Sequence, residues 1–531
     1  MATSANQSLL DTPKRKLSLS KSLSLVLTLV AIITPISILT TNLFNQTFSS
    51  SSSSSSNSLS LSATLCDRAL DRASCSAMVS ELAPPEILMQ MKGPDLLQAF
   101  LKKSASGLRK TIETASDISR RINDKREQGA LADCLELMEL SMDRVMDSVV
   151  AIEKRTTESH SDAHSWLSGV LTNHVTCLDG LTGSARSMME PELEDMVARS
   201  RASLALVVAI SPPEDDEFEP PRLIEEFPRW VMARDRNLLE VLAGTVNANV
   251  VVAKDGSGNY KTVSEAVASA PNNSNTRYVI YVKQGTYNEN VVIGKTKKNI
   301  MLTGDGMDLT IITGSLNVVD GATTFNSATV AAVGDGFMAQ DMWFQNTAGA
   351  AKHQAVALRV GGDQSVINRC RIDAYQNTLY TYTNRQFYRD SYITGTVDFI
   401  FGNAAVVFEN CNIVCRKPMS GQFNTVTAQG RTDPNQNTGT LIQSCNVTVS
   451  SDLELIKGTI KSYLGRPWKA YARTIFMEAY IGNYIDLYKR VTWVGYHVIT
   501  SATEAVKSIV AQLIQGGSWL KSTGVTYTEG L

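Results

Sequence analysis

The C-terminal half of the chain carries few of the residues on which hydrolases and metalloenzymes commonly rely. Only two of the five histidines, His353 and His497, lie beyond residue 249. The sequence contains no G-x-S-x-G turn, no H-E-x-x-H zinc motif and no Walker-type phosphate loop. No C-x-x-C pair stands with a histidine cluster, so zinc is disfavoured and we expect no metal or other cofactor. Hydrolytic chemistry in this half would have to use carboxylates, amides and arginine.

Side chains of these three types recur in five short segments. Asp398 lies in Gly-Thr-Val-Asp-Phe-Ile-Phe-Gly, Gln376 and Asn377 lie in Tyr-Gln-Asn-Thr-Leu-Tyr, and Arg466 lies in Leu-Gly-Arg-Pro-Trp. The segments resemble the signature blocks of plant pectin methylesterases and occur in that family's order and at its spacing. The resemblance covers roughly residues 249 to 531, and five ordered blocks are far more specific than one motif. The segments are Gly285–Glu289, Gln354–Leu358, Tyr375–Tyr380, Gly395–Gly402 and Leu464–Trp468.

The resemblance implies an esterase that hydrolyses the methyl esters of cell-wall homogalacturonan and releases methanol. Asp398 matches the nucleophile, and a carboxylate nucleophile divides one difficult displacement into two easier steps through an acyl-enzyme. Arg466 matches the arginine that keeps this aspartate ionised and oriented. Gln354 and Gln376 match the amides that donate hydrogen bonds to the developing oxyanion.

Two further positions match substrate contacts of the family, together with Gln354 and Arg466. They are Thr324 and Trp468, and the indole of Trp468 offers a flat apolar face on which a sugar ring can stack. The residue types alone would also fit structural roles. Glutamines form ladders in solenoids, Asp398 could cap a turn, and Arg466 could be an ion-pair partner without a catalytic role.

Asn377 departs from the family pattern, because the matching position is the general acid/base aspartate. An amide keeps the shape and can donate a hydrogen bond to a tetrahedral intermediate. It cannot protonate the methanol leaving group or activate water. General acid–base catalysis is typically worth about 10²–10⁴-fold in rate, so the expected deficit is large.

Three other departures accompany Asn377. Ser391 stands where the family usually has a cysteine paired with the position of Cys411, so Cys411 is expected to be free or paired elsewhere. Ile485–Arg490 runs directly into Val491, where the family has a longer aromatic segment that walls the substrate groove. Arg236–Leu239 lacks the second basic residue usual at the family's pro-domain cleavage site.

These departures leave three functional hypotheses. The chain is a working pectin methylesterase, or a pectin-binding pseudoenzyme impaired by Asn377 and the shortened segment after Asp486, or its N-terminal bundle is the functional part and acts as an inhibitor. A pectate lyase is disfavoured, because lyases need a Ca²⁺-binding acidic cluster and a basic proton abstractor.

Short β-branched runs separated by Gly, Asn and Asp must position the site residues. No helical stretch long enough for a βαβ crossover occurs before Ala502–Gln515, which favours a solenoid over a Rossmann sheet. Asp-Gly pairs such as Asp255-Gly256 are also typical of hairpins, so the pattern leaves a β-sandwich open. The resemblance implies a right-handed parallel β-helix. The expected strands are Asn249–Ala253, Tyr278–Val282, Ile300–Thr303, Ala328–Ala332, Ala355–Val360, Ala405–Phe408 and Thr425–Ala428.

Residues 61–210 show helical periodicity. One apolar stripe runs from Leu135 to Ile152 and another from Trp166 to Leu178, at three- and four-residue spacing. Helices of this kind with short connections predict an antiparallel four-helix bundle. The region resembles the pectinesterase-inhibitor-like pro-domain of the same family. That resemblance implies disulfides Cys66–Cys75 and Cys134–Cys177, and an intramolecular pro-domain contact or a separate proteinaceous inhibitor as partner.

The N-terminus has the features of a secretory signal or a signal-anchor. Lys14, Arg15 and Lys16 precede the apolar run Leu23–Leu39, which is at the short limit for spanning a bilayer. The sequons at Asn272 and Asn446 suit a glycosylated chain secreted to the cell wall. The net charge of −2 gives no broad electrostatic reason to expect nucleic-acid binding. The expected divisions are 1–47 signal peptide or signal-anchor, 48–60 Ser-rich linker, 61–210 helical pro-domain, 211–248 linker and processing site, and 249–531 β-helix.

Overall fold

The computed structural model describes residues 64–210, 247–456, 458–486, 510–520, 525, 527 and 528. The expected signal segment, the Ser-rich linker, the processing stretch Arg236–Leu239 and the shortened segment beyond Asp486 lie outside these residues. Within the described ranges, no helix is both long enough and apolar enough to cross a membrane.

Four long helices form the N-terminal bundle, and the short connections between packed neighbours make them antiparallel. Side chains define where two of them begin. Asp124 accepts from the backbone N–H groups of Arg126 and Glu127, and Thr156 forms a capping box with Ser159. The four-helix bundle expected from the sequence is confirmed. Two short helices, α1 (Arg72–Ser80) and α2 (Pro85–Leu88), precede α3 (Gly93–Ser119), α4 (Lys125–Lys154), α5 (Thr157–Gly180) and α6 (Gly183–Ala209).

Two disulfide bonds stabilise this half of the molecule. Cys66–Cys75 joins the entering chain to α1, and Cys134–Cys177 joins α4 to α5. These are the two pairs that the family resemblance implies. Each bond limits the freedom of the unfolded chain, by more where the loop it closes is longer.

Helix α5 is buried on two sides. Its expected apolar stripe packs in the bundle core through Val170 and Leu171. Its small polar residues Ser168, Thr172 and Asn173 are buried as well. They are covered because α5 lies between the bundle and the C-terminal half of the molecule, to which these residues are hydrogen-bonded.

The C-terminal half is a stack of coils built from three parallel sheets. Strands about three places apart in sequence pair directly, as β10 pairs with β13 through Leu358 and Leu379. In the described residues, every paired strand of the three sheets is parallel. The right-handed parallel β-helix is confirmed, and the β-sandwich that the sequence pattern left open is excluded.

The three sheets form the three faces of the coil stack, and we call them sheets 1, 2 and 3. Sheet 1 has the order β4-β7-β10-β13-β16-β19-β22-β25, sheet 2 has β1-β2-β5-β8-β11-β14-β17-β20-β23, and sheet 3 has β3-β6-β9-β12-β15-β18-β21-β24. Their strands are β1 Val250–Val252, β2 Tyr278–Val282, β3 Gly285–Asn288, β4 Val291–Ile293, β5 Ile300–Gly304, β6 Thr310–Gly314, β7 Val330–Ala332, β8 Met338–Gln340, β9 Trp343–Asn346, β10 Leu358–Val360, β11 Ser365–Asn368, β12 Arg371–Asp373, β13 Leu379–Thr381, β14 Arg385–Arg389, β15 Tyr392–Gly395, β16 Ile400–Gly402, β17 Ala405–Glu409, β18 Asn412–Cys415, β19 Asn424–Gln429, β20 Gly439–Gln443, β21 Asn446–Val449, β22 Ser462–Pro467, β23 Thr474–Met477, β24 Tyr480–Ile481 and β25 Ile485–Asp486.

Short helices lie at the ends of this stack and beside it. Helix α7 (Val263–Ser269) was not expected from the sequence, and it begins where Thr262 accepts from the N–H of Glu265. The carboxylate of Glu289 accepts from the N–H groups of Val263 and Ser264, as is favourable at a helix start. The remaining helices are α8 (Ser451–Glu454), α9 (Val510–Leu513) and α10 (Gly516–Trp519).

Turns between the strands explain the Gly, Asn and Asp residues of the sequence pattern. Asn377, Asn384 and Asn410 adopt left-handed backbone conformations with φ of 61°, 63° and 53°, which asparagine tolerates better than most residues. The expected strand Ala355–Val360 begins only at Leu358, because the chain bends at Ala357.

A ladder of buried small side chains stands where the family disulfide would be. Ser391 donates to the carbonyl of Arg389 and accepts from the N–H of Cys370. Cys411 takes the equivalent position on the next coil, and its N–H donates to the sulfur of Cys445. Among the described residues, Cys370, Cys411, Cys415 and Cys445 are free and buried. Ser391 therefore replaces a thiol in a repeating hydrogen-bond pattern.

Candidate active site

Successive coils place one outward-pointing residue each at the same register position of sheet 1. The preceding residue of each strand, such as Leu379 or Ile400, packs inside the coil stack. The outward residues pack in a different apolar cluster, as alternation along a strand requires. In the described residues this outer ladder runs from Val292 to Arg466, and its members in order are Val292, Ala331, Arg359, Tyr380, Phe401, Ala428 and Arg466.

Asp398 and Arg466 form a two-pronged ion pair beside this ladder. Nε of Arg466 donates to Oδ1 of Asp398 at 2.7 Å, and Nη2 donates to Oδ2. Asp398 lies in the turn before β16 with a φ of 50° and is 5% exposed. Its hydrogen bonds raise the pKa of the Arg466 guanidinium, so the arginine remains a permanent positive charge. The sequence singled out both residues, and the structure places them in direct contact.

Thr425 also contacts the Asp398 carboxylate, although no motif in the sequence marks it as a site residue. Its hydroxyl donates to Oδ1 of Asp398 at 2.6 Å and accepts from the N–H of Asp398 at 2.7 Å. Thr425 begins one of the expected strands, and the sequence carries no signal that a residue 27 positions away on the next coil would meet it.

Gln354 and Gln376 lie on adjacent coils next to Asp398. An isolated parallel bridge joins their backbones, and the carbonyl of Gln376 accepts from the N–H of Ala355 at 3.2 Å. Within the described part of the chain, the side-chain Oε1 of Gln376 is buried without a hydrogen-bond partner. The Gln376 amide is therefore not fully used by a structural ladder.

Asn377 follows Gln376 and faces the nucleophile turn. It is 7% exposed, and its Nδ2 donates to the backbone carbonyl of Asp398 at 3.4 Å, which is a long and weak bond. Its own N–H donates to the carbonyl of Val397. The amide therefore lies next to Asp398 and carries no titratable proton there.

Trp468 and Thr324 lie further along the same face. The Trp468 ring is 40% exposed, and its centroid lies 6.2 Å from that of Phe401. Thr324 precedes the 3₁₀ turn Phe325–Ser327 and is half-buried. No hydrogen bond between described residues joins Thr324 to Asp398. Within the described ranges, no three His, Cys, Asp or Glu side chains lie close enough together to hold a metal ion.

Family models match both halves of the chain. The model described as "Pectinesterase" matches residues 249–488, and the model described as "Plant invertase/pectin methylesterase inhibitor" matches residues 60–208. A "Pectinesterase/pectinesterase inhibitor" of Ficus pumila var. awkeotsang is 55% identical over 493 residues, which cover 86% of this chain and 90% of the relative. This chain belongs to the pectinesterase family.

Two further relatives agree with that assignment. "Pectinesterase 2.1" of Solanum lycopersicum is 54% identical over 86% of this chain and 88% of the relative. The solved "Pectin methylesterase from Carrot" is 55% identical, with a TM-score of 0.53, and aligns with 54% of this chain and 100% of its own. The carrot protein thus matches a length close to that of the pectinesterase half alone.

In this pectinesterase, the helical bundle covers the face that carries the site. One apolar cluster contains residues of both halves. From the bundle it includes Leu131, Leu137 and Met196, and from the outer ladder it includes Tyr380 and Phe401. The gap left beside Trp468, between α5 and the coils, holds about 20 Å³, which is room for about one water molecule.

Polar contacts hold α5 against the coils of the pectinesterase half. The hydroxyl of Tyr382 donates to Asn173 at 2.8 Å, and Asn403 donates to Thr172 at 2.8 Å. Each partner is buried, so each of these bonds would leave an unsatisfied polar group if the other side were lost. Similar bonds join Gln436 to the Ser168 carbonyl, Asn437 to Ser165, Lys469 to Asp179 and His164 to the Asn435 carbonyl.

A buried ionic network, which we call the latch, joins the two halves at one edge. Arg385 is 1% exposed and pairs within the coils with Asp363. From the bundle, Asp162 also pairs with Arg385 at 2.8 Å, and Nε1 of Trp166 donates to Asp363 at 2.9 Å. Arg385 and the neighbouring Arg144 hold the pKa of Asp363 well below its usual range despite burial. Arg385 and Asp363 both belong to the coils, whereas Asp162 and Trp166 belong to the bundle.

Two titratable groups of the bundle are shifted in opposite directions at this interface. Burial raises the pKa of Asp133 to about 6, against hydrogen bonds from Thr323 and Asn326 and the charge of Arg359. Burial lowers the pKa of His164 to about 4, although its hydrogen bond to the Asn435 carbonyl opposes the change. Asp133 is therefore favoured protonated and His164 neutral when the halves are in contact.

Proposed function

We propose that the β-helix half is a pectin methylesterase that hydrolyses methyl esters of homogalacturonan, with Asp398 as the nucleophile. The observation that carries the proposal is the two-pronged pairing of Asp398 with Arg466 next to the bridged glutamines Gln354 and Gln376. The names of the relatives support the substrate class.

The chemistry proceeds in two steps. A carboxylate oxygen of Asp398 forms a bond to the ester carbonyl carbon, whose oxygen becomes an oxyanion. Collapse of this intermediate expels methoxide, which takes a proton and leaves as methanol. Water then hydrolyses the acyl-enzyme and regenerates the carboxylate. The amides of Gln354 and Gln376 would donate to the oxyanion, which amide dipoles held in place do well. Trp468 and Thr324 would contact the sugar chain.

Asn377 sets the rate of this chemistry. Methoxide must be protonated and water must be activated, and an amide can do neither. Solvent water must carry both protons in its place, so we expect slow turnover with the binding face and nucleophile retained. This expectation favours a slow esterase over a chain that binds pectin without hydrolysing it.

Methanol release from methylated pectin tests the esterase proposal. A site-specific protease sequence placed in Ser211–Pro221 would allow the full chain to be folded, cut and separated from its bundle. We expect the cut chain to release methanol and Asp398→Asn to reduce release to background. Asp373→Asn is the matched control, because Asp373 is also buried and paired with an arginine, Arg371, but lies outside the site. Equal activity of the wild type and Asp398→Asn would contradict the proposal.

We also propose that the bundle is an intramolecular inhibitor of this esterase. Bundle and outer ladder share one apolar cluster, and the gap beside Trp468 is too small for a sugar ring. Adding the separated bundle back to the cut chain should suppress methanol release. Absence of suppression at bundle concentrations well above those of the enzyme would contradict an inhibitory role.

We propose that the chain is secreted to the cell wall and that cleavage within 211–248 removes the bundle. The alternative to a cleaved signal peptide is an N-terminal segment that anchors the chain in the membrane before processing. Asn272 and Asn446 are both exposed and lie in sequons, which makes them the expected glycosylation sites. Digestion with an N-glycosidase should lower the mass of the secreted chain, and Asn272→Gln and Asn446→Gln should each remove one glycan. An unchanged mass would contradict the assignment.

A further inference from the structure

Thr425 is placed to control the nucleophile in a way that goes beyond the proposed catalytic set. Its hydroxyl is fully buried and makes two short hydrogen bonds to one residue, donating to Oδ1 of Asp398 at 2.6 Å and accepting from the Asp398 N–H at 2.7 Å. A hydroxyl offers one proton and two lone pairs, so a single side chain can make both bonds. The carboxylate and the backbone of Asp398 are thus tied to the next coil by one atom.

The two oxygens of the carboxylate are unequally occupied. Oδ1 accepts from Thr425 and from Nε of Arg466, whereas among the described residues Oδ2 accepts only from Nη2 of Arg466. Hydrogen bonds to a carboxylate oxygen lie broadly along its two lone-pair directions. Oδ1 is therefore filled, and Oδ2 retains a lone pair that can form a bond to an ester carbon.

We infer that Thr425 is a positioning residue that occupies Oδ1 and so makes Oδ2 of Asp398 the attacking oxygen. The inference rests on the proposed role of Asp398 and adds which oxygen attacks and what holds it. The backbone at Asp398 is left-handed, a conformation that an aspartate keeps only where its surroundings impose it. The Thr425 hydroxyl supplies such a constraint, because it holds the N–H and the side chain of Asp398 together.

Substitutions at residue 425 test the inference through kcat and KM of the cut chain. Thr425→Val keeps the shape and removes both hydrogen bonds, whereas Thr425→Ser keeps the hydroxyl. We expect Thr425→Val to lower kcat about tenfold or more, as for loss of a hydrogen bond to a charged group, with KM unchanged. Thr425→Ser should restore kcat. Thr427→Val is the control, because it removes a buried hydroxyl of the same strand that donates to the Leu464 carbonyl; its kcat should equal that of the wild type.

The outcomes separate this inference from the proposed function. If the cut chain releases methanol and Asp398→Asn does not, but Thr425→Val has wild-type kcat, only the role of Thr425 is overturned. The assays are repeated with Asn377→Asp, so that slow turnover cannot hide the effect. No methanol release in either background would overturn both proposals. If Thr425→Val fails to fold, Thr425→Cys replaces it: a thiol is a weaker donor, and a kcat equal to that of Thr425→Ser would refute the inference.

Discussion

The two sides of the active site differ in what each can do for an ester. On one side, Asp398 accepts three hydrogen bonds from Arg466 and Thr425, and its turn is fixed by the neighbouring coil. On the other side, Asn377 makes one long hydrogen bond of 3.4 Å and has no proton to give or take. The side of the proposed nucleophile and the side on which we expect proton transfer are thus separable. This chain keeps the hydrogen-bonded carboxylate of the first side and has an amide on the second.

The largest expected effect comes from restoring the missing proton carrier. Asn377→Asp should raise kcat of the cut chain by about 10²–10⁴-fold, which is the range that general acid–base catalysis usually supplies. Methanol release under saturating pectin measures the change. Asn299→Asp is the control, since Asn299 has a similar left-handed backbone, with a φ of 57°, and lies away from the site. An unchanged rate would mean that Asn377 does not limit turnover.

Substitution in the latch should have the next largest effect. It should change how often the bundle uncovers the site and leave the catalytic residues unchanged. Asp162→Ala removes the bundle's carboxylate from the network and leaves Arg385 paired with Asp363, to which Trp166 still donates. Removing one member of a hydrogen-bonded charge pair in a mostly buried setting costs roughly 2 kcal/mol, so the open fraction of the uncut chain should rise by about 30-fold.

Methanol release by the uncut chain measures that opening, and the cut chain should be unaffected by the substitution. Asp95→Ala is the matched control, because Asp95 pairs with Arg155 in an exposed ion pair within the bundle. If Asp162→Ala and Asp95→Ala behave alike, the latch does not hold the bundle in place.

Acidity should act on docking through two opposing groups. Burial in the folded chain raises the Asp133 pKa from its ordinary 3.8 to about 6, so its contribution is fully present below pH 3.8 and is lost as pH rises through 6. Burial lowers the His164 pKa from its ordinary 6.5 to about 4, so its contribution is present above pH 6.5 and is lost as pH falls through 4. Both groups contact the β-helix half, so we expect part of each shift to depend on docking. Between about pH 4 and pH 6 the two effects should nearly cancel.

Removing one of the two groups should reveal how docking affinity depends on pH through the other. With Asp133→Asn, the affinity of the separated bundle for the cut chain should weaken by up to about tenfold per pH unit as pH falls from 6.5 to 4. With His164→Gln, it should weaken by up to a similar factor as pH rises from 4 to 6. Titration of inhibition across this range provides the measurement. Parallel pH dependences of the two variants would contradict the assignment.

The smallest expected effect is at Ser391, which should matter for stability and not for catalysis. Ser391→Ala leaves the buried N–H of Cys370 without its acceptor, which should lower the free energy of unfolding by about 1–3 kcal/mol. Methanol release should be unchanged. Denaturant unfolding measures the loss, with the exposed Ser444→Ala as the control. An unchanged unfolding midpoint would mean that the ladder contributes nothing.

Much of the nucleophile side could be predicted from sequence, because its residues sit in ordered motifs. Asp398, Arg466 and Gln376 were identified in this way. Thr425 could not be identified, because its contact arises from the stacking of coils and no local pattern marks which strand residue meets the turn before it. The sequence pattern also could not predict which strands pair, because Asp-Gly pairs occur both in hairpins and in the turns between coils.

The resemblance implied a contact between the two halves, but the residues that form it could not be predicted, for a different reason. Ser168, Thr172 and Asn173 of α5 are small and polar, and such residues suit a solvated helix face as well as a hydrogen-bonded interface. Only the matching donors and acceptors of Tyr382 and Asn403 distinguish the two. The apolar stripe of the same helix was predictable, because burial in the bundle core requires helical spacing.

Cleavage between residues 210 and 247 tests the central claim most directly, because it compares one chain before and after its bundle is removed. Methanol release from methylated pectin should be at least about tenfold faster after cleavage and separation, given the closed gap beside Trp468. It should be faster still in the Asn377→Asp background. Equal rates before and after cleavage, or no release after cleavage in either background, would contradict the account of a retained nucleophile beneath a covering bundle.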